Sequence, residues 1–311
     1  SAALANPGLA ATCQATGVPA ANLGNDTLSQ SQVRAVGGGN PDLKEETADT
    51  WTAGAVFQPT FAPRLSLSVD YYEIKVKNAI LATGPGADFS RDACYGTESN
   101  GFTPYDQSFC NYIHRDASGE ITRVDDTNLN AGYWKTRGVD FELQYGVPLG
   151  FGIMGGETSR LDFRVSGTRL IQFDFNNLAA IPDLVSECAG KFGATCGNPY
   201  AKWRGNASAS WSTGPALFQV RANYVGPVDD DGSSGYTAEE LYRSHIGGYV
   251  TFDLAASFAV DEHFTARIGV NNVGDRKPPI IGDANSEQTN TYPATYDVLG
   301  RRFFVGVSAK F

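Results

Sequence analysis

Long apolar runs are missing from this sequence. No stretch of 18 or more apolar residues occurs, which excludes a transmembrane helix. Positive charge is scarce as well: 24 Lys and Arg face 34 Asp and Glu, for a formal net charge of -10. Without a basic stripe to neutralise phosphates, nucleic acid is excluded as a partner. The three histidines, His114, His245 and His263, fall in different connections, which argues against a histidine-built metal centre. H-E-x-x-H, G-x-S-x-G and Walker loops are absent, so no catalytic residue is expected and the chain reads as a non-enzyme. The start at Ser1 shows no initiator Met, no charged n-region and no apolar h-region. It is expected to mark a processed product or a fragment, with a longer precursor cut in an exposed loop.

Cysteine is sparse but placed suggestively. Of 5 cysteines, Cys94 and Cys110 bracket one polar segment and Cys188 and Cys196 another. Two short-range disulfides in loops are expected, in an oxidising compartment; reduced loop thiols in a cytosolic protein are the alternative. Cys13 is left without a partner in this reading.

What the sequence has in quantity is alternation with period 2. Val139, Phe141, Leu143, Tyr145 and Val147 oppose Asp140, Glu142 and Gln144. Leu161, Phe163 and Val165 oppose Asp162, Arg164 and Ser166; Val250, Phe252 and Leu254 oppose Thr251 and Asp253; Phe264, Ala266 and Ile268 oppose Thr265 and Arg267. Similar runs surround Trp51, Leu67, Trp211 and Val220, and Phe303 to Phe311 closes the chain, for about nine strands in all. Arg169 interrupts one apolar side, and Phe304 intrudes on one polar side. After Tyr71 and Tyr72 the phase flips, which implies a bulge or emergence of the strand from an apolar layer.

Connections alternate in length. Those after Gln58, Ser212 and Phe258 are short, whereas those around 78–132, 176–199, 229–248 and 275–300 are long and polar. Loops then segregate to two ends of an up-and-down sheet, the layout of a transmembrane antiparallel β-barrel. Apolar sides would face lipid. The wet lumen would receive Asp140, Glu142, Asp162, Arg164, Arg204, Arg221, Asp253 and Arg267. Trp51, Phe57, Tyr145, Trp203, Trp211 and Tyr224, near strand ends, would form interfacial girdles. A secreted β-sandwich binding protein is the soluble alternative. An odd strand number cannot close a bacterial barrel, and an open edge cannot sit in lipid. The chain is therefore expected to be part of a barrel, with residues 1–46 an extracellular loop segment and residues 47–311 barrel.

Several motifs, in order, resemble TonB-dependent outer-membrane receptors: "GGNPDLKEETADTWTAGAVFQP" from Gly38, "LSVDYYEIKVKNAI" from Leu67, "TRGVDFELQY", "VNNVGDRKPP" and the closing "YDVLGRRFFVGVSAKF". Glu45 stands where that family typically has Pro. The resemblance implies the C-terminal nine or so strands of a 22-stranded plugged barrel. It implies a Gram-negative outer-membrane location and active uptake of an oligosaccharide or metal chelate. Implied partners are an N-terminal plug and the remaining strands, the TonB complex acting through the plug, outer-membrane lipids, and the barrel-assembly machinery, for which Phe311 would be the signal. A non-transporting outer-membrane module, adhesin or porin-like, is the other barrel reading.

Within that topology Tyr105, Tyr133, Trp134, Tyr236 and Tyr242 are loop aromatics suited to stacking on a sugar or an aromatic chelate, or to packing loop on loop. No cofactor is expected. Asp229, Asp230 and Asp231, with Glu239 and Glu240 nearby, offer one place for calcium, against the preferred reading of a solvated acidic loop.

Overall fold

Where the alternation runs, the backbone extends. The computed structural model describes residues 5–24, 34–81, 87–176, 185–282 and 290–310; Phe311 lies outside them. Nine long strands make one antiparallel sheet. They are β2 (Thr47–Phe57), β3 (Leu65–Leu81), β6 (Leu129–Leu149), β7 (Ser159–Asn176) and β10 (Trp203–Thr213). The set continues with β11 (Ala216–Val225), β14 (Tyr249–Ala259), β15 (Phe264–Asn271) and β16 (Arg302–Ala309). Their order, β16-β15-β14-β11-β10-β7-β6-β3-β2, follows the chain, and the short β8 (Val185–Glu187) adds to β7. The sheet is not closed, as expected of a partial barrel. No helix among the described residues is long and apolar enough to cross a membrane.

Register sorts the residues into rows. Leu161, Trp211, Phe218, Ala256, Ile268 and Val305 are successive partners across six strands. The adjacent apolar row is Phe163, Ala209, Val220, Leu254, Val270 and Phe303. Next to the second row, on the opposite face, run Arg164, Ser208, Arg221 and Asp253. Because side chains alternate with period 2, a slip of one residue would move every charge into the apolar face. Trp203 and Trp211 mark the two ends of the apolar side of β10. Eight residues at about 3.4 Å each give about 27 Å along the strand, which a tilted strand reduces to about the height of a bilayer's apolar band.

Strand β3 is continuous through the phase flip. The Tyr71 hydroxyl donates to the Glu73 carboxylate at 3.0 Å. Residues two apart share a face, so the strand does not slip here. The flip marks emergence from the apolar layer, not a bulge.

Two compact units divide the chain. One holds α1 (Pro7–Ala15), α2 (Ala87–Tyr95) and a three-stranded sheet of β1 (Ala35–Gly38), β4 (Ile113–Arg115) and β5 (Ile121–Thr127). Leu9, Ala93, Cys94, Tyr95, Phe109, Ile113 and Val124 form its buried core, and the Cys94–Cys110 disulfide lies within it. Residues 1–46, expected as an extracellular loop segment, contain α1 and β1. Asn6 caps α1 by accepting from the Gly8 and Leu9 amides at 3.0 and 3.1 Å, and Pro7 at the first turn suits a helix start. Strand β1 pairs in parallel with β5, Ala35 opposite Val124.

The other unit holds most of the long sheet and a second small sheet, built from β9 (Lys191–Phe192), β12 (Val228–Asp230) and β13 (His245–Ile246). These strands come from two separate long connections. Their shared core is Phe192, Ala201, Val228, Ile246, Tyr249, Ile281, Tyr292 and Tyr296. The loops of this unit are therefore a packed platform, consistent with the rarity of long unsupported loops.

Candidate functional site

The polar face of the sheet is the first element of the site. Glu142 and Arg164 lie 3.3 Å apart, and Asp162 accepts from Arg160 at 2.6 Å. Asp140 accepts from the Thr168 hydroxyl at 2.5 Å. Asp253 accepts from Asn223 at 2.8 Å, and Arg267 donates to Ser308 at 3.0 Å. Arg221 stands directly opposite Asp253 in register. Exposed pairs of this kind contribute about 0–1 kcal/mol each, so they do little for stability. Of these residues, Glu142, Arg160, Asp162, Arg164 and Arg221 line an open recess of about 550 Å³ with charges of both signs. The apolar face also carries a recess, of about 580 Å³, bordered by Leu161, Trp211, Phe218, Leu254, Ile268 and Phe303. It has no charged side chain to orient a ligand, and it reads as lipid-facing surface.

The second element is a return loop that sequence reasoning did not single out. Asn272, fully buried, follows β15 directly with φ 49°. Its amide donates to Asp253, and its side-chain amide donates to the Arg276 carbonyl and the Asp297 carboxylate at 3.0 and 3.1 Å. Its side-chain oxygen accepts from the Arg276 amide at 2.8 Å. Asp297 also accepts from Arg302 at 2.6 Å. Burial works to raise the Asp297 carboxyl, but the Arg302 and Asn272 donors outweigh it and hold the group below the usual range. This lock places Thr295 within 3.1 Å of Arg204 on the polar face. Tyr296 beside it is almost fully buried, and burial pushes its phenol up to about 12. Asn223, Asp253, Thr295, Asp297 and Arg302 border a recess of about 460 Å³. The available signal was the density of Thr and Tyr at residues 291–296, which has no periodicity to reveal where the segment folds back.

The third element is the rim of the loop platform. Tyr236 and Tyr242 are 61% and 68% exposed. They share an open cup of about 620 Å³ with Glu239, Glu240, Ile280 and Asn290. Glu240 accepts from the Thr237 amide at 2.8 Å, a bond that lowers its carboxyl below the usual range. The other loop aromatics lie elsewhere. Tyr105 is half-buried against the disulfide-bearing core of the first unit. Tyr133 is half-buried and Trp134 exposed, both on β6.

The acidic run serves the platform. Asp231 accepts from the Thr195 and Cys196 amides at 3.0 and 2.7 Å and from the Ser233 hydroxyl at 2.6 Å. Burial works to raise its carboxyl, but these donors together hold it below the usual range. Gly193, at φ 142°, has no room for a side chain because a Cβ would stand 2.6 Å from that carboxylate. Asp229 pairs with His245 at 2.6 Å, and Asp230 accepts from the Gly232 amide at 2.8 Å. Among the described residues no group of three or more His, Cys, Asp or Glu is arranged to hold a metal. The second disulfide, Cys188–Cys196, closes the same platform. Both expected disulfides are present, and Cys13 is free and half-buried.

The family model described as TonB dependent receptor-like, beta-barrel matches residues 12–273. No curated protein matches the chain. Among solved structures, the ferric enterobactin receptor PfeA of Pseudomonas aeruginosa, in complex with enterobactin, is similar at a TM-score of 0.55 and 16% identity, over 89% of this chain and 33% of that one. The siderophore receptor PirA of Acinetobacter baumannii matches at 0.51 and 15%, over 88% and 33%. The FrpB iron transporter of Neisseria meningitidis matches at 0.50 and 16%, over 89% and 33%. The chain thus spans about a third of the length of the structures it matches. At these identities the likeness is one of fold.

Proposed function

Since the chain belongs to the TonB-dependent receptor β-barrel family, we propose that it forms the C-terminal barrel part of an outer-membrane transporter for active nutrient uptake. The observation that carries the reading is the register. It collects apolar side chains in rows on one face and ionised ones in rows on the other, an arrangement suited to lipid outside and water within. Members of this family sit in the Gram-negative outer membrane, and they are transporters and receptors, not enzymes. Residues 47–311 would supply about nine strands, with a plug and the earlier strands completing the barrel and meeting TonB. Residues 1–46 would belong to the extracellular side.

The cargo enters through the loop platform in this reading. Tyr236 and Tyr242 stack on the ligand's flat face, and Glu239 and Glu240 accept its hydroxyl or amine protons. A ferric chelate, as bound by the similar receptors, and an oligosaccharide both fit that chemistry. The test is titration of the complete receptor with a ferric catecholate and with a linear oligosaccharide, in wild type and in Tyr236→Ala/Tyr242→Ala. Loss of two aromatic contacts is expected to weaken one of the two ligands about tenfold or more. Equal, unsaturable responses to both ligands would sink the assignment of the cup. A heat-modifiable band that needs detergent supports the barrel; a water-soluble monomer contradicts it.

A further inference from the structure

The cup on the rim of the loop platform is dominated by one sign of charge. One wall runs from Tyr236 to Tyr242, and the other holds Ile280, Gly282 and Asn290. Arg243 joins the walls, its Nε donating to the Ile280 carbonyl at 2.8 Å. Tyr242 rests on Gly282, where a Cβ would stand 2.6 Å from the Tyr242 Cβ. The Gly282 amide in turn donates to the Asn290 side chain at 2.9 Å. Tyr242 is thus rooted in the platform, yet most of it stays exposed. Glu239 and Glu240 border the same cup. Glu240 accepts from the Thr237 amide and hydroxyl at 2.8 and 3.0 Å. Those donors lower its carboxyl, so it is ionised at neutral pH. Neither carboxylate is ion-paired among the described residues. Among those residues no Lys or Arg lines the cup. Counting Arg243 against the two carboxylates leaves about -1. The connection that carries this wall, residues 229–248, holds five Asp and Glu against one Arg.

Two tyrosine rings beside unpaired carboxylates suit a cation. The face of a ring attracts a cation within about 6 Å of its centroid, and carboxylates accept the protons of an ammonium in strong, charge-assisted bonds. A neutral sugar would strip water from the carboxylates without an opposite charge to offset the loss. An anionic chelate would meet repulsion, which sets specificity as firmly as attraction does. Resting on the uptake reading above, we propose that the cup selects a cargo bearing a protonated amine, held by Tyr236 and Tyr242 with its protons on Glu239 and Glu240. The amine, not the scaffold, is what the cup reads. A neutral iron chelate built of hydroxamates can carry such a group, and so can an aminated oligosaccharide. A ferric catecholate, which is anionic, is then the weaker of the two ligands weighed above.

The test uses the complete receptor in detergent, with binding read by isothermal titration. The probes are a ferric trihydroxamate with a free amine, the same chelate N-acetylated, a linear glucosamine oligosaccharide, its N-acetylated form, and a ferric tricatecholate. On at least one scaffold the free amine is expected to bind about tenfold tighter than its acetylated twin, and tighter than the tricatecholate. The scaffold that shows the preference identifies the carrier. The preference should shrink as salt rises. Glu239→Gln/Glu240→Gln keeps an oxygen for the Thr237 amide and should bring the two twins level. Glu262→Gln, on a short turn, should leave the preference intact. Should the double variant fail to assemble, Glu239→Gln alone carries the test, with about a threefold loss of preference. Twins that bind equally on both scaffolds, or a preference that survives the Gln variants, overturn the charge reading. So does tight tricatecholate binding that Tyr236→Ala/Tyr242→Ala abolishes, and in that case the cup still stands as the entry site. No saturable binding of any probe overturns the cup as well, and a wild-type chain soluble without detergent overturns the barrel reading with it.

Discussion

The ring of Phe304 lies over the backbone of Gly269, its register partner on the neighbouring strand. A Cβ at position 269 would stand 2.3 Å from the Phe304 Cζ atom. Phe304 is the apolar intruder on the polar side of the last strand, and Gly269 explains it: an aromatic ring covers backbone that glycine leaves bare. The ring thus packs on backbone along the polar face of the sheet.

Gly269→Ala is therefore expected to displace the ring and to destabilise the barrel by about 1–3 kcal/mol, the usual range for overpacking. Phe304→Ala should cost less. The double substitution should cost less than the sum, because the two residues share one contact. The temperature at which the folded band converts on electrophoresis measures all three, and strict additivity would refute the pairing.

Asn272 makes five hydrogen bonds from a fully buried position. Three of them come from the side chain. Asn272→Ala leaves the Arg276 amide and carbonyl short of partners, at a cost of about 2–4 kcal/mol for the lost bonds and stranded groups. The return loop should detach while the sheet persists. Limited proteolysis should then cut between Arg276 and Arg301 without loss of heat-modifiability.

Reduction of the disulfides should act locally. The bridges span sequence separations of 16 and 8, for which chain entropy predicts about 3 and about 2.5 kcal/mol respectively. Cys188→Ser/Cys196→Ser is expected to speed amide exchange at Lys191, Phe192 and Asp229 in the platform, and to leave the rows of β14, β15 and β16 protected. Uniform exchange across both regions would contradict a separate loop platform.

Acid should open the same platform. The Asp231 carboxyl is held below its ordinary value in the folded state. Its contribution is therefore complete above the unfolded value of about 3.9 and is lost as pH falls through the lower, folded value. Thr195 and Cys196 amides should stay protected from pH 7 to 5 and exchange faster below about pH 4, after correction for intrinsic rates. In Asp231→Asn the protection is lower throughout and that acid step disappears.

Fold class, strand number and the disposition of apolar and charged sides were legible in the sequence. The reason is physical: a strand with an apolar side and a polar side must alternate, and β14 or β15 read this way residue by residue. Both disulfides were legible because each bridge closes a short segment. Whether Tyr71 and Tyr72 mark a bulge was not, since alternation alone cannot separate a slip from a change of surroundings; the bond from Tyr71 to Glu73 decided it. The helix α1 was missed inside a stretch whose Ala, Asn, Gly and Pro content reads as loop.

What the sequence determined by itself was local and periodic: which residues extend, which side of each strand is apolar, and where strands stop. Only the tertiary structure decided what non-adjacent segments do together. It placed Thr295 against Arg204, gathered Tyr236 and Tyr242 around one cup, and buried Tyr296. Register between strands and the return of long loops depend on contacts between residues far apart in the chain, and no periodicity along the chain encodes them.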